Sequence, residues 1–136
     1  MKPINRCPCR PAEDARPYGA CCGRYHAGPL HLLAPTAESL MRSRYSAFVL
    51  GLVDYLLATW HPSTRPAALE PEPAGVKWLG LEVRQHVLQD ADHATVAFFA
   101  RSKLAGRAQR LVENSRFVRE DGRWFYVDGD ISQPTH

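Results

Sequence analysis

Apolar positions change period twice along the chain. Ala37, Leu40, Met41, Tyr45 and Phe48 recur at three- and four-residue spacing, which is one face of a helix. Thr36 suits the N-cap and Gly51 the stop, so the spacing predicts a helix running to about Leu50. A second, shorter helix is predicted from Val53, Leu56, Leu57 and Trp60, with Pro62 ending it by restricting His61. Residues 62–75 contain Pro62, Pro66, Pro71, Pro73 and Gly75 and read as an irregular connection. After it the period becomes two. Val76–Val87, Ala94–Lys103, Arg110–Glu120 and Trp124–Asp128 are rich in β-branched and aromatic residues, with turn residues between them, and predict four antiparallel strands in a meander. Helices followed by strands give an α+β fold with the sheet curled over the helices.

Before Thr36 neither period survives. Proline and glycine recur from Pro3 to Pro35, so this arm needs a metal or a docking surface to become ordered. The 136 residues, 45% of them hydrophobic, suffice for one main domain with a small appendage. No apolar run approaches the roughly 18 residues of a membrane span, and the first residues lack a hydrophobic signal core. The expectation is a cytoplasmic protein without membrane association. Residues 27–136 balance at 12 basic against 12 acidic, so the formal charge of +3 lies wholly in residues 1–26. Four thiolates around a divalent metal would bring that to about +1, which disfavours nucleic acid as a partner.

The candidate chemistry begins with the cysteines. Cys7-Pro8-Cys9 and Cys21-Cys22 form two short pairs joined by a loop, the arrangement that supplies a tetrahedral structural zinc site. Disulfides, an iron centre and a redox dithiol are the alternatives; neighbouring cysteines bridge poorly, and a reducing compartment favours metal. Four sulfurs complete the tetrahedron, which leaves His26 beside the site or at the surface.

Cys7-Pro8-Cys9, Tyr18 and Cys21-Cys22-Gly23 resemble the SEC-C zinc motif. Tyr25-His26-x-Gly28, the run from Thr36 to Phe48, Ala58-Thr59-Trp60-His61-Pro62 and Trp124-Phe125-Tyr126-Val127-Asp128-Gly129 extend the resemblance to the YchJ family of uncharacterised bacterial proteins. It implies a SEC-C-like zinc motif over residues 1–30 and a nuclear-transport-factor-2-like (cystatin-like) cone over residues 31–136, with no known activity. The stretch from Arg10 to Ala20 is longer than the family's usual loop and lacks its glycines.

A second candidate site comes from alternation on the third strand. Leu111, Glu113, Ser115 and Phe117 share one face, and Arg44 falls between Met41 and Phe48 on the apolar stripe of the first helix. A buried guanidinium demands an answering charge, so Arg44 is expected to pair with Glu113, either as a structural ion pair or as the polar floor of a ligand pocket. Tyr45, Trp60 and His61 are the other pocket candidates. Arg101, Lys103, Arg107, Arg110, Arg116 and Arg119 read as a solvated sheet surface, split between faces by alternation.

Three functions follow as expectations. The first is a protein-recognition module that docks through the zinc motif, its anchors being exposed Arg6, Arg16, Tyr18, Arg24 and Tyr25, on a cone able to hold a small molecule. The second is an enzyme of isomerase, dehydratase or hydrolase type with Glu113, His61 and Tyr45 as its acid–base set. The third and weakest is nucleic-acid binding through the knuckle and the Arg101–Arg119 region.

Overall fold

The computed structural model describes residues 6–10, 16–69 and 76–132. Parts of the N-terminal arm (1–5 and 11–15) and of the proline-rich connection (70–75) therefore lie outside the described residues. Two one-turn helical pieces occur in the arm, a 3-10 turn at Tyr18–Ala20 and α1 at Gly23–His26, where the sequence predicted no regular structure. They wind directly around the second cysteine pair: the Arg24 and Tyr25 amides donate to the Cys21 and Cys22 carbonyls.

Helix α2 spans Ala37–Leu50. Its capping box is complete, because Thr36 Oγ1 accepts from the Ser39 amide at 3.0 Å while Ser39 Oγ accepts from the Thr36 amide at 3.0 Å. Gly51 ends it at φ 73°, a left-handed conformation that glycine adopts without cost. Helix α3 spans Val53–Ala58 and stops well before Pro62. The sheet edge wins here: the His61 amide donates to the Tyr126 carbonyl at 2.7 Å and the Tyr126 amide to the Thr59 carbonyl at 2.8 Å, so Trp60 forms a parallel bridge and is not helical.

Strands β1 (Lys77–Asp90), β2 (His93–Leu104), β3 (Arg107–Glu120) and β4 (Arg123–Ser132) form one antiparallel sheet in the order β1-β2-β3-β4. All run longer than predicted. The β2–β3 turn carries positive φ at Ala105 and Gly106, and the β3–β4 turn at Asp121 and Gly122, which suits tight hairpins. Register shifts in the β1–β2 ladder and at Arg116/Phe117 bend the sheet. Its concave face, with Ala94, Val96, Phe98 and Ala100 opposite Phe117, Ser115, Glu113 and Leu111, packs with α2 around the core. Among the described residues no helix is long and apolar enough to cross a membrane.

Candidate functional site

The four cysteines converge. Their Sγ atoms all lie within 4.8 Å of one another, and none of the four residues is more than 3% exposed. Cys9 Sγ is 3.6 Å from Cys21 Sγ and 3.5 Å from Cys22 Sγ. Those separations are far beyond a covalent S–S bond of about 2.05 Å. They match the edge of about 3.8 Å that bonds of about 2.3 Å give a tetrahedron. The cysteines are free and close enough together to hold a metal ion.

Electrostatics point the same way. Hydrogen bonds from Cys22 and Cys9 hold the Cys7 thiol well below the usual range, whereas hydrogen bonding to Cys7 and Cys9, with burial, pushes Cys22 up. Sulfurs crowded to this distance could be held together by one divalent cation in place of thiol protons. Arg10 Nε also donates to Cys21 Sγ at 3.3 Å, supplying positive charge at the rim.

The knuckle is docked on α2. Cys7 Sγ lies 3.5 Å from Ser46 Oγ, Arg42 Nη1 donates to the Cys9 carbonyl at 2.9 Å, and His26 Nε2 lies 2.8 Å from the Ser43 carbonyl. The other nitrogen of His26 meets the Tyr18 hydroxyl, so this residue stands beside the sulfur site as a fastener between arm and domain. Burial holds its pKa below the ordinary histidine value. Two of the expected interface anchors are spent in this docking: Tyr25 is 4% exposed, correcting the expectation of an exposed ring, and Tyr18 is half-buried. Arg6, Arg16 and Arg24 are exposed.

The second site is a cavity of about 250 Å³ inside the cone. Arg44, Tyr45, Trp60, Glu113 and Ser115, pocket candidates from the sequence, stand in its lining. His61 does not. It lies against Phe125, with Nε2 2.9 Å from Glu120 Oε2 and Nδ1 2.7 Å from Ser63 Oγ, because its backbone is tied to the β4 edge. The expected acid–base set of Glu113, His61 and Tyr45 is thereby divided between two places.

The expected Arg44–Glu113 ion pair is also absent. Arg44 Nη1 donates to the Leu56 carbonyl and to Thr59 Oγ1, both at 2.8 Å. Its guanidinium carbon stands 5.1 Å from the Trp60 ring centre and 4.5 Å from that of Tyr126. The Leu56 carbonyl, the Thr59 hydroxyl and two aromatic faces answer the buried charge in place of a carboxylate. Burial nevertheless lowers the Arg44 pKa to about 10, against the opposing influence of Tyr126, Tyr55 and Glu113. Glu113, across the cavity, accepts from Ser115 Oγ at 2.7 Å and from the Tyr126 hydroxyl at 3.1 Å. Tyr126 thus joins the two poles, its ring on Arg44 and its hydroxyl on Glu113. Burial, then the neighbouring carboxylate, keeps that hydroxyl protonated well above the usual phenol range.

Sequence reasoning missed Tyr126 and Gly129 as site residues. Gly129 pairs with Ser115, and a Cβ there would fall 2.8 Å from Glu113 Cδ and 2.9 Å from its Cγ. Only the absence of a side chain leaves room for the carboxylate. Both residues stand in the Trp124–Gly129 run; alternation from Trp124 could have signalled Tyr126, but not Gly129, which the register shift at Arg116/Phe117 brings opposite Ser115. A second depression of about 470 Å³, between the arm and α3, is lined by His26, His31, Asp54 and Tyr55 among others and holds no buried charge.

Comparison with known proteins agrees with this architecture. A family model described as "YchJ, middle NTF2-like domain" matches residues 36–129. A UPF0225 protein of Bordetella pertussis is 64% identical over 92% of each chain. One of Methylibium petroleiphilum is 66% identical over 94% of this chain and 90% of its own. Two solved structures are similar. A SEC-C motif containing protein from Rhodopseudomonas palustris has a TM-score of 0.77 and 30% identity, over 92% of this chain and 97% of its own. Its counterpart from Psychrobacter arcticus has a TM-score of 0.77 and 31% identity, over 98% and 86%. With the cone matched by a family model and the cysteine knuckle by SEC-C neighbours, the chain belongs to the uncharacterised YchJ (UPF0225) family.

Proposed function

We propose that this chain is a small-molecule-binding protein: a cone that holds a compact anionic ligand against Arg44, braced by an N-terminal knuckle carrying one structural zinc ion. The observation that carries the reading is the buried guanidinium. Only Nη1 of Arg44 finds hydrogen-bond acceptors among the described residues, which leaves Nε and Nη2 available beside the cavity. A carboxylate or similar anion satisfies those donors, and the rings of Tyr45, Trp60, Trp78 and Tyr126 suit an apolar body. At about 250 Å³ the space falls just below the ~300–1,000 Å³ of drug-sized sites, so the ligand is a small one. Glu113 offers an acceptor for a hydroxyl or amine at the other pole.

Zinc is the metal because four thiolates form a closed, soft tetrahedron with no position left for water. The same closure assigns the metal a structural task. Native mass spectrometry on protein from its own cells tests both parts. The expected species carries one zinc and one small-molecule adduct, and Arg44→Met keeps the zinc and loses the adduct. Wild-type protein without an adduct refutes the ligand; iron in place of zinc refutes the metal.

Protein recognition through the zinc motif is the second reading, favoured by Leu30 and Leu33, which stand 44% and 45% exposed on the segment following α1. A partner captured by the full chain and lost on Leu30→Ser with Leu33→Ser would support it. Enzymatic use of the cavity is weaker, since His61 lies elsewhere.

A further inference from the structure

The convex face of the sheet carries an arrangement that folding alone does not favour. Arg101 on β2 stands directly opposite Arg110 on β3, and Lys77 on β1 directly opposite Lys103 on β2. All four residues are exposed. Like charges directly opposite each other weaken a sheet. The guanidinium carbons of Arg84, Arg101 and Arg110 gather 5.5, 5.7 and 5.1 Å from the centre of one ring, Phe99. Among the described residues the carboxylate paired at this end is that of Glu82, 3.5 Å from Arg84 Nε. Among the described residues, no acidic partner meets Arg101, Arg110, Lys77 or Lys103 there. The opposite end of the sheet differs: Arg116 is closed by Asp128 and Asp130 at 2.6 and 2.9 Å, and Arg119 by Asp92 at 3.4 Å. Unanswered charge is therefore a local property of the Phe99 end and not of the composition, and it divides from the paired end in a way that alternation in the sequence did not reveal.

We propose that this end of the convex face is a docking surface for single-stranded nucleic acid. A polyanion answers the two opposed pairs at once. Guanidinium planes and an aromatic ring on a broad sheet face are the platforms on which unpaired bases stack, whatever their sequence. A second copy of this chain is a poor occupant, because it would bring the same charges face to face. The surface is separate from the cone cavity, which opens on the other side of the sheet, and from the sulfur centre.

The test is fluorescence anisotropy of the full chain with a labelled 12-nucleotide oligouridine over a salt series. With about four phosphates contacted, log K is expected to fall against log salt with a slope of about −3. Arg101→Glu with Arg110→Glu should weaken binding at least tenfold. Arg101→Glu alone separates binding from folding: it turns a like-charge pair into an opposite one, so binding falls while the melting temperature holds or rises. Binding that never saturates at low salt, or that is equal for wild type and both variants, overturns the proposal. Equal competition by polyglutamate of the same charge overturns it in favour of an acidic protein, and equal affinity for a duplex of the same length removes the stacking role.

Discussion

Replacing Gly129 by alanine tests how the polar end of the cavity is built. Gly129 does not hold a positive φ, so an alanine there meets no backbone strain and its cost comes from what its Cβ touches. All three nearest atoms belong to the Glu113 side chain. Glu113 can yield only by leaving Ser115 Oγ and the Tyr126 hydroxyl. Hydrogen bonds to a charged group contribute about 1.5–3 kcal/mol each, so up to roughly 3–6 kcal/mol is at stake. Part returns if the displaced carboxylate swings toward the cavity, and glycine-to-alanine replacement itself gains about 0.4–1 kcal/mol through the unfolded chain. The net expectation for Gly129→Ala is a loss of roughly 2–4 kcal/mol in urea unfolding at unchanged m-value. In a Glu113→Ala background the obstacle is gone, and Gly129→Ala should be neutral or slightly stabilising. Equal costs in the two backgrounds, within about 0.5 kcal/mol, would refute the packing of Gly129 on Glu113.

Arg44→Met removes two charged hydrogen bonds and two ring contacts but also relieves the burial of a charge, which is what lowers the Arg44 pKa to about 10; a net loss of about 2 kcal/mol is expected by urea titration. Cys21→Ser should lower zinc to well under one equivalent by elemental analysis and free Tyr25, read as faster hydrogen exchange across residues 21–26, while the β-sheet amides stay protected. Tyr45 and Tyr55 are both raised from 10 to about 12, chiefly by burial, so the folded state binds protons that the unfolded state releases; their contribution to stability should be constant below pH 10 and be lost between pH 10 and 12, so the alkaline fall is less steep in Tyr55→Phe.

Local signals made most of the fold legible. The period of α2, its Thr36 cap and Gly51 stop are properties of neighbouring residues, and so are the four strands and their turns. Four cysteines in two pairs were enough to foresee the sulfur cluster. Failures occurred where a distant partner decided the outcome. The end of α3 depends on backbone bonds to Tyr126, more than sixty residues later, which also carry His61 away from the cavity. Alternation faced Arg44 and Glu113 toward each other and both line one cavity, but face assignment contains no reach. The guanidinium stops at the carbonyl of Leu56, and Tyr126 takes the carboxylate. The short helices of the arm had no sequence period because the cysteine pair, not an apolar face, organises them.

Both candidate sites hang on α2, from different sides. Fully buried Ser46 meets Cys7 of the arm through its hydroxyl and Ser43 meets His26 through its carbonyl, its own hydroxyl going to the Leu40 carbonyl and Tyr55, whereas Met41, Arg44, Tyr45 and Phe48 face the cavity. At about 100° of rotation per residue, Ser43 and Arg44 can point to different neighbours while sharing one rigid backbone. A small polar residue is needed where the knuckle approaches closely, and a long charged one where the cone is hollow. This division explains why so short a helix carries Ser43, Arg44, Tyr45 and Ser46 consecutively in a buried position, a run that an apolar-stripe rule would place half in solvent. None of the four cysteines is among the residues that line the cavity. Their influence passes through the position of α2, so that the sulfur cluster fixes the helix from outside while Leu56, Thr59 and the two rings fix Arg44 from within.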